Sequence, residues 1–340
     1  NKFLETPGHT PDSMCGLVSN KEAPDQPLAM LTGDTLFIGS IGRPDLLGED
    51  MSAATLAGMM FDTWTNKLSK LPDTVKILPA HGAGSLCGAH LSDEPVSTLG
   101  EQRVRNPYLQ HRNRGEFIAA ILAGLPEAPQ YFAHNAAMNQ QGPQAVDWDP
   151  DALPAVEPSA ELTDPAKYYV VDIRDAQQYA EGHIPNSVNI GLRGRFETWT
   201  GIMVPWDAQA ILTGSDAELR EALHRLHRVG YAPKCLVWDT WVQAGLPITK
   251  NEMIAPRELY RQMQTPDSPV VVDVRLPSEW MALRIGTVVN IPLNELPKKA
   301  TKLDKRLPIV AVCNSAYRSS LAVGIFERQG FQDISSMTGG

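Results

Sequence analysis

The second half of the chain contains the same sequence pattern twice. V-V-D-I-R-D-A-Q-Q-Y-A-E-G-H-I-P-N-S-V-N-I starts at Val170, and V-V-D-V-R-L-P-S-E-W-M-A-L-R-I-G-T-V-V-N-I starts at Val271. In both copies a run typical of a buried strand ends in Asp-x-Arg, an aromatic residue follows, and a second strand ends in Asn-Ile. Such internal similarity indicates a duplicated structural unit, so the sequence predicts two homologous domains in tandem. Helical patterns such as 217–229 alternate with the strands, which favours a parallel α/β sheet in each copy.

The length of the chain and its breaks suggest how it is divided. With 340 residues it can form two or three domains. Ala145–Asp164 is rich in Pro, Asp, Glu and Ala without apolar periodicity, which is typical of a linker, and a second break falls at 245–247. We therefore predict three regions, at 1–150, 155–250 and 254–340. The first is less regular, and its clearest helix is predicted over 52–71.

Charge and hydropathy restrict the partners of the chain. Because 30 Lys and Arg face 39 Asp and Glu, for a net charge of −9, no basic surface is expected for nucleic acid or an anionic membrane. The longest apolar run, near Phe117–Leu125, is much shorter than the ~20 residues that span a bilayer. Four cysteines without a C-x-x-C pair favour a reducing, cytoplasmic compartment. The sequence leaves homo-oligomer formation open.

Three polar residues of the first region each follow a predicted short strand. They are His9, Asp34 and His81. Strand ends that face one rim of a sheet can converge, and imidazole with carboxylate is a ligand set for Zn, Fe or Mn. The spacing alone leaves a second interpretation open, in which each residue makes only a capping or surface hydrogen bond.

The sequence around these residues resembles a known fold. The motifs are T-P-G-H-T-P-D-S (6–13), T-G-D-T-L-F-I-G (32–39), G-R-P-D-L-L (42–47) and L-P-A-H-G-A-G-S (78–85). In order and spacing they resemble the latter half of the metallo-β-lactamase fold, and within it most of all the persulfide dioxygenases, over about 1–140. The resemblance implies a partial αββα sandwich in which His9 and Asp34 are two of three ligands of one Fe(II). It places His81 at the second-metal position that glyoxalase II-like hydrolases fill, with Zn as the metal of a hydrolase.

The resemblance carries further expectations about this region. Arg43 would shape a persulfide pocket, although an Arg–Asp pair with Asp45 in a turn is about as often a structural salt bridge. The H-x-H-x-D-H motif that supplies the remaining histidine would lie upstream of Asn1, so we expect an N-terminally truncated chain that holds iron poorly. Cys15 and Cys87 are interpreted as packing residues.

A cysteine near the end of the chain follows a predicted strand and precedes a predicted helix. The apolar strand Pro308–Val312 leads into C-N-S-A-Y-R (313–318), and a helical stretch follows over 319–329. Backbone N–H groups of such a loop, with the helix N-terminus, stabilise a thiolate or an anionic persulfide. We therefore predict Cys313 as a nucleophile rather than a packing residue, and Arg318 as the group that binds an oxyanion such as sulfite. The loop residues predicted to bind substrate are Asn314, Ser315, Ala316 and Tyr317.

The loop and the repeated motif together resemble rhodanese domains in tandem, over about 160–340. The six-residue length of the loop is the one that this resemblance associates with sulfur transfer. In the first copy Gly214–Glu218 stands at the place of the loop without a cysteine, and its acidic residues oppose an anionic persulfide. We interpret that copy as catalytically inert and Cys235 as a core residue. The closing helix of the second copy would follow Gly340, so truncation is expected at this end as well.

Taken together, the two resemblances imply a persulfide dioxygenase fused to rhodanese domains. Such an enzyme of sulfide detoxification would oxidise a low-molecular-weight thiol persulfide with O₂ at Fe(II) and transfer sulfane sulfur through Cys313 to sulfite, giving thiosulfate. Two alternatives stay open. One is a glyoxalase II-like thioester hydrolase with rhodanese domains, and the other is a sulfur-carrier module without turnover.

Overall fold

The computed structural model describes residues 2–46, 51–83, 85, 87–88, 91–123, 125, 131–142 and 152–339. The chain divides into two compact units, Asn1–Gln141 and Gly142–Gly340. Residues 145–151 of the predicted linker lie outside the described residues, and the three-region boundaries stay a prediction. Within the described ranges, no helix is both long enough and apolar enough to cross a membrane.

The first unit combines a mixed sheet with helices. Its elements are β1 (Lys2–Glu5), β2 (Met14–Ser19), β3 (Pro27–Gly33), β4 (Leu36–Phe37), β5 (Ser40–Ile41), α1 (Ala53–Asn66), β6 (Lys76–Pro79), β7 (Ser97–Thr98), α2 (Leu99–Arg105), α3 (Arg114–Ala123) and α4 (Tyr131–Gln141). The main sheet has the order β1-β2-β3-β6-β7, and β4 and β5 form a separate hairpin. Only β3 and β6 run parallel among these pairs, so the C-terminal ends of both strands lie at the same edge.

Helix α1 covers the core of this unit. Its N-cap is Ser52, whose side chain accepts a hydrogen bond from the Thr55 backbone N–H, and Leu56 and Met60 on its inner face are buried. The helix is shorter than the predicted 52–71, because the backbone leaves helical geometry at Lys67 and a short 3₁₀ turn follows.

The second unit contains two parallel sheets, as the repeat predicts. The first copy consists of β8 (Tyr168–Asp172), α5 (Ala176–Glu181), β9 (Val188–Asn189), α6 (Phe196–Met203), β10 (Gln209–Gly214), α7 (Asp216–His227), β11 (Lys234–Val237) and α8 (Trp238–Gln243). The second consists of β12 (Glu252–Ile254), α9 (Pro256–Gln262), β13 (Val270–Asp273), α10 (Pro277–Ala282), β14 (Val289–Asn290), α11 (Leu296–Lys299), β15 (Ile309–Val312), α12 (Tyr317–Arg328) and β16 (Ile334–Met337).

The two sheets have the same strand order. The first is β11-β10-β8-β9 and the second is β12-β16-β15-β13-β14, with every pair parallel. A parallel bridge between Ala155 and Cys235 stands in the first copy where β12 stands in the second. The parallel α/β architecture is therefore confirmed, and the duplication extends beyond the motif that revealed it.

Helix α12 joins the two copies. It packs on its own strands β15 and β16 and also on β9 and α5 of the first copy. The approach is close, since a Cβ on Gly324 would lie 2.5 Å from the Ser187 carbonyl oxygen. At the far end of the helix, the Glu327 carboxylate lies 2.8 Å from Nε2 of the fully buried His183. Buried side chains of both copies form one continuous core.

Candidate functional sites

The first unit brings its three predicted ligands together. His9 lies in the turn after β1, Asp34 directly follows β3, and His81 follows β6. Nε2 of His9 and Nε2 of His81 each lie 3.4 Å from the same oxygen, Oδ2 of Asp34. Because β3 and β6 are parallel neighbours, the residues after their C-terminal ends meet at one edge of the sheet.

Contacts around His9 fix which ring nitrogen is available. Its Nδ1 lies 2.8 Å from the carbonyl oxygen of Arg43, and since a carbonyl only accepts, Nδ1 carries the hydrogen. For a neutral ring, Nε2 then presents a lone pair toward the Asp34 carboxylate. Glycine is required at position 42, because a Cβ there would lie 1.9 Å from the Asp34 carbonyl oxygen and 3.1 Å from His9 Nδ1.

This donor set fits a metal ion. For neutral His9, two hydrogen-bond acceptors face each other across a short gap, an arrangement that a bound cation stabilises. Two imidazoles and a carboxylate are suitable ligands for either iron or zinc. The structure therefore places His81 beside the carboxylate that His9 also faces.

Sequence reasoning missed one residue near this cluster. Cys87 was interpreted as a packing residue, but the donor atoms of Asp34, His81 and Cys87 all lie within 4.8 Å of one another. Burial raises the pKa of the Cys87 thiol, a hydrogen bond from Ser85 opposes that shift, and the nearby Asp34 charge adds to it. The sequence could have indicated Cys87 by its place in the loop after His81, because a thiol six residues from a predicted ligand can face the same site.

The environment of Arg43 agrees with the structural alternative. The side chain is 1% exposed, and its Nε and Nη2 donate to Oδ1 and Oδ2 of Asp45 at 2.7 and 2.8 Å. The guanidinium also lies 5.9 Å from the centre of the Phe132 ring. Arg43 thus shapes the turn beside His9 through a buried bidentate ion pair, and contact with a persulfide stays a prediction.

The second site is the loop that follows β15. Cys313 comes directly after the strand and is 3% exposed. Ala316 turns the chain with a φ of 63°, and α12 starts at Tyr317, two residues before the predicted Ser319. The backbone N–H of Ser319 donates to Cys313 Sγ at 3.3 Å, and the Ser319 hydroxyl lies 3.4 Å from the same sulfur. The sulfur therefore lies at the N-terminal end of a twelve-residue helix, where partial positive charge stabilises an anion.

Arg318 has a partner that the sequence did not reveal. Its Nη1 and Nη2 donate to the two carboxylate oxygens of Glu279 at 2.7 and 2.8 Å. The hydrogen bond from Arg318 lowers the pKa of Glu279 to about 2. The guanidinium expected to bind sulfite is thus already occupied by an internal carboxylate, and its role as an oxyanion site stays a prediction.

The other loop residues have distinct surroundings. Asn314 links Glu279 to Arg275, donating to the carboxylate at 2.9 Å and accepting from the guanidinium at 3.0 Å. Ser315 is exposed. Tyr317 points to the first copy, where its hydroxyl donates to the Gly191 carbonyl at 2.9 Å, and burial raises its pKa. Tyr317 therefore joins the two copies, and its predicted contact with substrate stays a prediction.

The first copy has no equivalent of this loop. Thr213 pairs with Asp172 as Val312 pairs with Asp273, so Gly214 occupies the position of Cys313. A Cβ on Gly214 would lie 2.7 Å from Ile173 Cγ1. The Glu218 carboxylate accepts hydrogen bonds from the Ser215 backbone and hydroxyl at 3.1 and 2.6 Å, and so fills the helix N-terminus that faces the sulfur in the second copy.

The remaining cysteines of the described residues lie in other surroundings. Cys15 and Cys235 are buried, and burial raises the pKa of both thiols, that of Cys235 to about 12. Cys235 lies in β11, as expected for a core residue.

Comparison with known proteins identifies the class. Residues 157–239 and 255–340 match the rhodanese-like domain family. The chain therefore carries two rhodanese-like domains in tandem, preceded by a region with the metallo-β-lactamase fold. That fold is supported by the crystal structure of a metallo-beta-lactamase from Staphylococcus aureus subsp. aureus COL, which is 32% identical, with a TM-score of 0.58, over 69% of this chain and 66% of that one.

Two further similarities concern particular proteins. Over 80 residues the chain is 34% identical to hydroxyacylglutathione hydrolase of Dictyostelium discoideum. This match covers 24% of this chain and 27% of that protein. The crystal structure of ETHE1 from Myxococcus xanthus matches at 25% identity over 41% of this chain and 52% of that one, with a TM-score of 0.32, which is too low to carry a structural conclusion. The chain spans between 27% and 45% of the lengths of the curated relatives that it matches.

Proposed function

We propose that the protein is a persulfide dioxygenase and sulfurtransferase of sulfide detoxification. It oxidises a low-molecular-weight thiol persulfide with O₂ to sulfite and passes sulfane sulfur through Cys313 to sulfite, so that thiosulfate is formed. The observation that carries this proposal is the presence in one chain of a His9–Asp34–His81 cluster suited to a metal and a cysteine held at a helix N-terminus. We place the reaction in the cytoplasm, where thiols stay reduced.

Residues of the first unit would hold the proposed iron. His9 and Asp34 would be its ligands, and the Arg43 carbonyl keeps the His9 ring turned so that Nε2 faces Asp34. When bound, Fe(II) would supply open coordination positions at which persulfide and O₂ react. Gly42 leaves the space that His9 and the Asp34 backbone need.

Sulfur transfer at Cys313 takes place in two displacements. The Cys313 thiolate attacks the outer sulfur of the persulfide R–S–SH, the S–S bond of the donor breaks, and the thiol R–SH leaves. Sulfite then attacks the outer sulfur of the Cys313 persulfide through its own sulfur, thiosulfate departs, and the thiolate is restored. No external oxidant or reductant is needed, and the Ser319 backbone N–H stabilises the anionic sulfur at both stages.

A thioester hydrolase is the second candidate. Two observations favour it, namely the position of His81 beside the Asp34 carboxylate and the similarity to a hydroxyacylglutathione hydrolase. The two functions differ in metal content and co-substrate. One iron with uptake of O₂ supports the dioxygenase, whereas two metal ions with thioester cleavage in the absence of O₂ support the hydrolase.

The proposed coupling is tested by the products formed from persulfide and O₂. The iron-loaded wild-type protein should accumulate thiosulfate. Cys313→Ser should consume O₂ at a similar rate and accumulate sulfite, whereas Asp34→Asn should lose O₂ uptake, because a ligand is removed. Cys235→Ala is the control for loss of a buried thiol and should form thiosulfate as the wild type does. Thiosulfate formation by Cys313→Ser at the wild-type rate, after correction for the spontaneous reaction of sulfite with persulfide, would contradict the coupling.

A further inference from the structure

A cavity of about 620 Å³ opens beside Cys313. Cys313 and Asn314 form part of its wall, and most of the remaining wall is apolar, with Leu259, Met263, Leu283, Ile285, Val312 and Met337. Its volume lies within the range of pockets that bind small organic molecules. A ligand in this cavity lies against the otherwise buried nucleophile.

The first copy provides an internal comparison for this cavity. A cavity of about 460 Å³ lies at the same place there, with Arg174, Gly182 and Gly214 where the second copy has Arg275, Leu283 and Cys313. About half of its wall is polar, with Gln178, Glu181, Ser215, Glu218, Asp239 and Lys250. Of these two cavities, the one with the cysteine has the more apolar wall. The shared fold therefore explains why each copy has a cavity, but it does not explain why the cavity beside Cys313 is the more apolar one.

Two of the three cations near Cys313 are already paired with carboxylates. Arg318 is paired with Glu279 through two hydrogen bonds. Arg275 donates to the Asp273 carboxylate and to the Leu283 carbonyl. The third cation, Arg284, lies with its guanidinium carbon 4.7 Å from the centre of the Trp280 ring. An inorganic oxyanion such as thiosulfate must therefore compete with Glu279 for Arg318, whereas an uncharged organic molecule needs no free cation.

We propose that this cavity binds the organic part of the thiol persulfide that loads Cys313, and that this part is apolar and uncharged. The inference rests on the proposed sulfur transfer at Cys313 and names the class of its donor. With the organic part against Leu283 and Ile285, the outer sulfur of the donor faces Cys313 Sγ. The thiolate attacks that sulfur, the donor S–S bond breaks, and the apolar thiol leaves as R–SH after taking up a proton.

Single-turnover loading of Cys313 tests this assignment. n-Butyl persulfide and thiosulfate serve as donors, and the Cys313 persulfide is quantified by alkylation and mass measurement. For the wild type, the second-order rate constant of loading should be at least ~10-fold higher with n-butyl persulfide than with thiosulfate. Ile285→Trp fills the cavity and should lower loading from n-butyl persulfide by ~10-fold, while loading from thiosulfate changes less than ~2-fold.

The first copy supplies the matched control. Ile248 lines the equivalent cavity, and its exposure of 41% is close to the 40% of Ile285. Ile248→Trp should leave loading from both donors at the wild-type rate. Equal loading of the wild type from both donors, or an equal loss for both donors in Ile285→Trp, overturns the cavity assignment while sulfur transfer at Cys313 stands. If neither donor loads Cys313, the proposed function is overturned as well.

Discussion

The two rhodanese-like copies share a scaffold but differ at the point where chemistry would take place. In each copy a strand ends in an Asp whose carboxylate is paired with the Arg two residues later, Asp172 with Arg174 and Asp273 with Arg275. The asparagine of the following strand donates to the carbonyls of this Asp and Arg in both copies. These contacts connect the ends of neighbouring strands. The repeated motif therefore specifies the sheet, and the loops after β10 and β15 can differ between the copies.

The loops differ in length and in what occupies the helix N-terminus. Helix α7 starts two residues after Gly214, whereas α12 starts four residues after Cys313. The longer loop makes room for a sulfur at the helix N-terminus, and the shorter one fills that place with Glu218. The shorter loop without a cysteine thus has a capping box at the place where the longer loop has the Cys313 sulfur.

The first copy nonetheless supports the second. It contacts α12 along the helix, through Gly191 at Tyr317, through Asn189 at Ser320 and through His183 at Glu327. Since α12 begins at the end of the Cys313 loop, the first copy helps to fix the helix whose N-terminal turn contacts the Cys313 sulfur.

The largest stability effect is expected at the closest contact between the copies. Gly324→Ala places a Cβ 2.5 Å from the Ser187 carbonyl oxygen and 2.6 Å from Val188 Cα, and backbone atoms cannot move aside as a flexible side chain can. We expect the free energy of unfolding to fall by about 3 kcal/mol, measured by chemical denaturation. Gly115→Ala, in α3, meets only the Asn113 side chain at 3.2 Å and is the control, with a change below about 1 kcal/mol. A Gly324→Ala variant as stable as this control would show that the copies are not packed helix to strand.

A smaller effect is expected at the ion pair that distinguishes the second loop. The first copy has Gln178 where the second has Glu279, so Glu279→Gln makes the two copies alike at this position. The pKa of Glu279, about 2, lies below its ordinary value of 4.5. Its contribution to stability is therefore present above pH 4.5 and is lost as the pH falls toward 2.

Unfolding titrations between pH 7 and pH 2 measure this contribution. Because Glu279 is partly exposed and its charge is screened, Glu279→Gln should lower stability at pH 7 by only about 1 kcal/mol. The stability of Glu279→Gln should also fall less steeply than that of the wild type below pH 4.5. Glu221→Gln, at an exposed pair with Arg225, is the control and should change stability by less than about 0.5 kcal/mol. Identical pH profiles for wild type and Glu279→Gln would contradict the ion pair.

The sequence predicted those features that depend on local pattern. The apolar run at 308–312 predicted β15, the duplicated motif predicted two parallel sheets, and the Cys313 loop was placed before a helix. The order of strands in the first unit was not predicted, because pairing of β3 with β6 joins segments separated by more than 40 residues. Local periodicity carries no information about such pairs.

The candidate sites show the same limit. His9, Asp34 and His81 were predicted from their places after strands, and the structure brings them together. The position of Cys87 depends on the path of a loop, and the Glu279–Arg318 pair depends on how α10 lies beside the Cys313 loop. A carboxylate 39 residues from its arginine has no sequence pattern that distinguishes it from other surface glutamates.

Mapping persulfide along the chain tests the central claim, that sulfur chemistry in this tandem belongs to the second copy alone. The protein is treated with n-butyl persulfide, its persulfides are trapped with an alkylating probe, and each cysteine of the tandem is assigned by mass. The account predicts label at Cys313 in the wild type and in Cys235→Ala, and none in the tandem of Cys313→Ser. Label at Cys235, or label in the tandem that survives Cys313→Ser, would contradict it.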